Sequence, residues 1–129
     1  MRGIDTNVIV RLLTNDDVQQ VARARQAIAF GETFIPTTVL IEAEWVLRST
    51  YRLSPAAIVR QLRAFVAVAG MRVEDPQRLA QAFDWADEGM DFADALHFAW
   101  ARDCTTFVTF DRALVKTAAR LSAIPVVEP

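Results

Sequence analysis

The sequence predicts an α/β fold built on a mostly parallel sheet with helices on both faces. The first observation is a recurring rhythm: a short apolar run, a capping residue, then a segment with apolar residues at helical spacing. Parallel strands need crossover connections, and those are usually helices, so this alternation selects a parallel sheet. The second is length, because 129 residues fit one domain, 1–129, around a single core. The third is uniformity: no fixed-period repeat, no Gly/Ser or Pro-rich linker and no long block of like charge interrupts the chain.

Residues 2–5 form the first strand, after which Thr6-Asn7 caps a brief helix carrying Val8, Ile9, Leu12 and Leu13. Asn15 caps a second helix over about 16–29, with Asp16 and Asp17 in its first turn, where negative charge interacts favourably with the helix dipole. Residues 33–36 are the second strand, and Thr37 or Thr38 caps a strongly apolar helix through Val39, Leu40, Trp45, Val46 and Leu47. Ser54-Pro55 and Asp75-Pro76 each place a capping side chain before a proline at the first helical position, where its missing amide costs nothing. Helices therefore follow near 55–69 and 76–88. Residues 71–74 are a weaker strand, 106–109 a stronger one, and 125–127 close the sheet. The reading gives five short strands and about seven helices, and in such sheets sites lie at the carboxyl ends of strands.

Composition narrows the function classes. Apolar residues make up 53% of the chain, above the usual share of about 45–50%, which predicts some apolar surface covered by a partner. No run approaches the roughly 18 apolar residues of a membrane span, and Asp5 falls where the apolar core of a signal peptide would begin, so a cytoplasmic protein is expected. Cys104 is the only cysteine, which excludes an internal disulfide and a thiolate metal cluster within one chain; it is expected to be buried and inert. Fourteen basic residues face sixteen acidic ones, so net charge gives nucleic-acid binding no support and mildly opposes it.

The chemistry-bearing residues are acids at strand-to-helix junctions. Asp5 ends the first strand and Asp111 the fourth, and either is explained on its own as an ordinary helix cap. Glu42 and Glu44 share an apolar helix, and periodicity alone leaves open which faces the sheet edge and which faces solvent. Asp91 and Asp94 have the spacing of a capping box, which explains Asp91 as the cap and Asp94 only in part. His97, beside Trp100 and Ala101, is read as a packed or partly exposed side chain rather than a ligand. In a parallel sheet these junctions lie on one edge, so Asp5, Glu42, Asp94 and Asp111 can converge. Two such carboxylates 4 Å apart repel by about 4 kcal/mol at an effective dielectric of 20. Protons or a divalent cation must relieve that, and all-oxygen ligands favour Mg²⁺ or Mn²⁺ with open positions for substrate oxygens. Such a site suits phosphodiester hydrolysis by a metal-bound water. Thr6, Asn7 and Thr109 flank the acids and offer hydroxyl or amide groups to orient them. Arg11, Arg48, Arg52 and Arg112 lie near these motifs as candidate phosphate contacts.

Asp5-Thr6-Asn7, Glu42 in a Val-Leu-Ile-Glu helix, Asp91-Phe92-Ala93-Asp94-Ala95 and Thr109-Phe110-Asp111 together resemble the PIN domain family, over nearly the whole chain. The pattern is most similar to the toxins of VapBC toxin–antitoxin pairs. The resemblance implies a three-layer α/β/α sandwich around a parallel sheet of about five short strands. It further implies endoribonuclease activity on RNA requiring Mg²⁺ or Mn²⁺, a homodimer, and inhibition by a small antitoxin protein. Matched by position, Asp5, Glu42, Asp94 and Asp111 take the family's acidic roles. Asp5 and Asp94 are then direct metal ligands, and Glu42 and Asp111 position water or bind a second metal. A PIN-like module that binds RNA or protein without cleaving is the alternative, and the presence of all four acids argues against it. A phosphoacceptor receiver also gathers acids at strand ends, but it needs a lysine at the end of a late strand. Lys116, the only lysine, falls within the last helix.

Overall fold

The computed structural model describes residues 1–121 and 124–129. These form two compact units, residues 1–74 and 75–129. Among the described residues there are five strands and seven helices, and every strand pairing is parallel. The α/β character and the parallel pairing read from the sequence are both present.

The first unit runs β1 (Arg2–Gly3), α1 (Thr6–Thr14), α2 (Val18–Ile28), β2 (Thr33–Ile35), α3 (Thr37–Ser49), α4 (Pro55–Val66) and β3 (Met71–Val73). Its sheet has the order β1-β2-β3, with Arg2 opposite Thr33 and Thr33 opposite Met71. The central strand is the most apolar in its setting: Ile35 is fully buried, and Thr33 is buried with its N–H donating to the Gly70 carbonyl at 2.9 Å. Gly70 reaches that position with φ at +89°, a region open to glycine and strained for other residues. Helix α1 packs on α2 and α3, and α3 on α4, burying Ile9, Leu40, Leu47, Ile58 and Leu62.

The second unit runs α5 (Pro76–Asp87), α6 (Phe92–Trp100), β4 (Phe107–Val108), α7 (Arg112–Arg120) and β5 (Val126–Val127). β4 and β5 pair with each other, so the strands form one group of three and one of two. Helices α5 and α6 pack closely, with the Phe83 and Phe92 rings stacked at 5.5 Å and Phe98 on Phe107 at 4.6 Å. Stacked pairs at such distances add roughly 0.5–1.5 kcal/mol beyond area burial.

Several local expectations are corrected. Asn15 does not open α2; it closes α1 in the left-handed conformation, φ 57°, with its N–H bonded to the Arg11 carbonyl. Asp17 caps α2 instead, accepting from the Gln20 N–H at 3.0 Å. Neither Thr37 nor Thr38 caps α3; Pro36 stands at the cap without a side-chain bond, and the Thr37 N–H donates to Glu74 at 3.2 Å. Cys104 is exposed rather than buried. The proline-marked starts are as read: Ser54 accepts from the Ala57 N–H and Asp75 from the Arg78 N–H.

Candidate active site

In the first unit the Ile4 N–H still donates to the Phe34 carbonyl at 3.1 Å, so the chain leaves the sheet at Asp5. Asp5 adopts an extended conformation, and its carboxylate accepts from the Thr6 N–H at 2.8 Å. Asp5 is therefore the cap of α1, one residue before the Thr6-Asn7 cap expected from sequence. Thr6 is buried, and its hydroxyl donates to Oε1 of Glu42 on α3. That bond distinguishes the two glutamates that periodicity could not. Glu42 is exposed and held by α1, whereas Glu44 is only 5% exposed and accepts from Arg48 Nε at 2.8 Å, one turn on. A buried carboxylate without such a partner would be costly. Asn7 lies on the exposed side of the same first turn.

In the second unit Asp91 caps α6 by accepting from the Asp94 N–H at 3.2 Å. Asp94 is half-buried in the first helical turn. Burial, then the like charges of Asp91 and Asp111, raise its carboxyl above the ordinary range, and His97 opposes them in part. Asp111 caps α7, accepting from the Leu114 N–H at 3.1 Å, while its own N–H donates to the Thr109 hydroxyl at 3.0 Å. Asp94, Asp91, Asp111 and His97 thus share one electrostatic environment.

The four acids named from sequence therefore fall into two groups: Asp5 and Glu42, linked through Thr6, in the first unit, and Asp94 with Asp111 in the second. Their donor chemistry is all carboxylate oxygen, which suits a hard divalent cation, and a cation would relieve the repulsion on Asp94. Among the described residues, neither unit by itself gathers three or more His, Cys, Asp or Glu side chains able to hold a metal ion.

A PIN domain family model matches residues 4–120. The chain belongs to the PIN domain family. The matched span contains Asp5, Glu42, Asp94 and Asp111, so the acids of this PIN domain all lie inside the family's own boundaries. Among solved structures, the PIN domain is similar to Mycobacterium tuberculosis VapC20, a Sarcin-Ricin loop cleaving toxin, at 22% identity over the whole of both chains, with a TM-score of 0.44. No curated protein matches the chain.

Asp91 is more than the cap its sequence position predicts, since its charge also acts on Asp94. The capping-box spacing itself carried that signal, since the cap and its N3 partner must lie close. Of the arginines singled out as phosphate contacts, three are engaged by carboxylates: Arg11 by Asp16 at 3.0 Å, Arg48 by Glu44, and Arg112 by Glu128 at 3.0 Å. Arg52 sits in the left-handed region, φ 54°.

Proposed function

We propose that this PIN domain is a metal-dependent endoribonuclease hydrolysing RNA phosphodiester bonds, and that it is the toxin of a type II toxin–antitoxin pair. The observation that carries the reading is the state of Asp94, a partly buried carboxylate under like charge from Asp91 and Asp111. Carboxylates perturbed by burial and neighbouring like charge cluster at functional sites. In this reading Asp5 and Asp94 bind Mg²⁺ or Mn²⁺, and Glu42 and Asp111 orient the attacking water or a second cation. Thr6 fixes the Glu42 carboxylate through its hydroxyl, and Thr109 fixes the backbone from which Asp111 projects. Asn7, exposed in the same turn, is in this reading available to the substrate. When bound, the cation supplies a water of lowered pKa and neutralises charge developing on the phosphoryl oxygens.

The partners in this reading are an RNA substrate, a second copy of the chain in a homodimer, and a small antitoxin, all in the cytoplasm. Support comes from the large apolar side chains left exposed, among them Phe30, Trp45 and Phe110. Among the described residues no helix is long and apolar enough to cross a membrane.

The test is cleavage of end-labelled tRNA and messenger fragments by purified, antitoxin-free protein with Mn²⁺, with chelator, and with Asp94→Asn. Site-specific cuts lost in both controls are expected. Intact RNA beside a dimeric protein that still binds Mn²⁺ would point first to a narrow substrate outside those fragments and second to a binding module, and failure to bind Mn²⁺ would remove the carboxylate site.

A further inference from the structure

A cleft of about 400 Å³ opens between α1 and α2 in the first unit, within the size range of small-molecule sites, roughly 300–1,000 Å³. Val8, Ala24 and Ala27 give it an apolar floor, and Asn7, Arg11, Gln20 and Arg23 its polar rim. The spacing explains the cleft: Asn7 and Arg11 are one turn apart on α1, and Gln20, Arg23, Ala24 and Ala27 form one face of α2. The two alanines leave room that larger side chains would fill.

Its charge is unusual for this chain. The lining holds two arginines and no carboxylate, although the protein as a whole carries a net charge of −2. The two cations are held differently. Arg11 is fixed: Nε donates to Gln20, and Nη1 to Asp16 at 3.0 Å and to the Tyr51 hydroxyl at 3.1 Å. Its Nη2 makes no hydrogen bond among the described residues, so one edge of an oriented guanidinium remains open. Arg23 is exposed and has no ion pair among the described residues. The cleft begins at Asn7, in the same helical turn that Asp5 caps.

We infer that this cleft holds the RNA strand beside the cleavage site, Arg23 pairing with a phosphate, Arg11 offering Nη2 to the same or the next one, and the apolar floor receiving a base or ribose. The inference rests on the ribonuclease reading and supplies what net charge withholds, a local cation for the substrate backbone. Arg23 contributes the unopposed charge, because Asp16 already offsets that of Arg11.

The experiment measures binding of a short fluorescein-labelled single-stranded RNA by anisotropy, in chelator so that no cleavage intervenes, across a series of salt concentrations. Arg23→Gln is expected to weaken binding about three-fold to ten-fold and to lower the slope of log affinity against log salt by about 0.7, the loss of one phosphate contact. Arg23→Lys restores the slope, and Arg60→Gln, an exposed arginine on α4 away from the cleft lining, leaves both unchanged. If wild-type protein cleaves RNA with Mn²⁺ but Arg23→Gln matches it in affinity and slope, the cleft is overturned and the ribonuclease reading stands. If wild-type protein neither binds nor cleaves RNA, both fall together. If Arg23→Gln spares RNA binding but abolishes binding of a glutamate-rich peptide, the cleft is a protein groove and the inference is refuted.

Discussion

Thr6→Val removes one hydroxyl and keeps the shape of a side chain that is only 4% exposed. Thr and Val have similar helix propensities, so the change isolates the bond to Glu42. A hydrogen bond to a charged group is worth roughly 1.5–3 kcal/mol. Glu42 is exposed, however, and once released it recovers bonds from water, which brings the expected loss down to about 1 kcal/mol. For a chain of this size that is a fall in Tm of about 3–5 °C, measurable by calorimetry. The functional effect is expected to be larger than the stability effect, because the bond fixes where the Glu42 carboxylate points. Loss of such an orienting partner typically costs about 10-fold or more in activity.

The assay is a double-mutant cycle on RNA cleavage rates with Thr6→Val, Glu42→Gln and the pair. If Thr6 acts through Glu42, the second substitution adds little once the first is made. Thr6→Ser keeps the hydroxyl and retains most of the rate. Independent, multiplicative losses across the cycle would refute the reasoning, since Thr6 would then matter by some route other than this bond.

Three further outcomes follow from the same geometry. The raised carboxyl of Asp94 makes its charge unfavourable in the folded state, a cost fully present above the raised value and fading as pH falls toward the ordinary 3.8. In chelator, Asp94→Asn should therefore melt higher than wild type at neutral pH and lose that advantage in acid; a gain that persists in acid would sink the account. Asp16 is lowered, chiefly by the Tyr51 hydroxyl at 2.7 Å, so its contribution is present above 3.8 and lost as pH falls through its lower folded value. Tyr51→Phe should thus be less stable than wild type at neutral pH, with the gap closing in acid unfolding curves. Finally, Asp111→Ala loses both a cap, worth about 1 kcal/mol, and a carboxylate, whereas Asp111→Ser keeps the cap. Equal thermal stability of Asp111→Ser and wild type, with cleavage abolished, would separate the two roles; parallel loss of both in the two variants would tie activity to the cap alone.

What was legible in the sequence was whatever a few adjacent residues decide. Ser54-Pro55 and Asp75-Pro76 specify their helix starts locally, and those starts are present in the fold. The α1–α2 boundary was misread because its outcome is tertiary: Arg11 and Tyr51 take the Asp16 carboxylate, leaving Asp17 to cap and Asn15 to turn the chain left-handed. The start of α3 was misread for a similar reason, its first N–H being satisfied by Glu74, far along the chain at the end of β3. For the site, junction acids stood out because strand ends and caps are local signals. Periodicity did not choose between Glu42 and Glu44, which only the family resemblance separated, because the difference depends on Thr6 from another helix. The α1–α2 cleft depends on two helix faces and had no sequence signature.

Capping and chemistry place compatible demands on the same acids. Asp5, Asp91 and Asp111 each commit one carboxylate oxygen to a backbone N–H, and among the described residues the other oxygen of each accepts no hydrogen bond. The committed oxygen restricts the side-chain rotamer. Each of these exposed residues thereby keeps one carboxylate oxygen available, with its ordering cost offset by the helix it starts. Asp94 has no cap to hold it. Its position is set by the first turn of α6 and by partial burial, so the fold raises its proton affinity and a cation would relieve it. In each unit, then, the acids at the helix starts are ordered by capping, and Asp94 alone is held by partial burial instead.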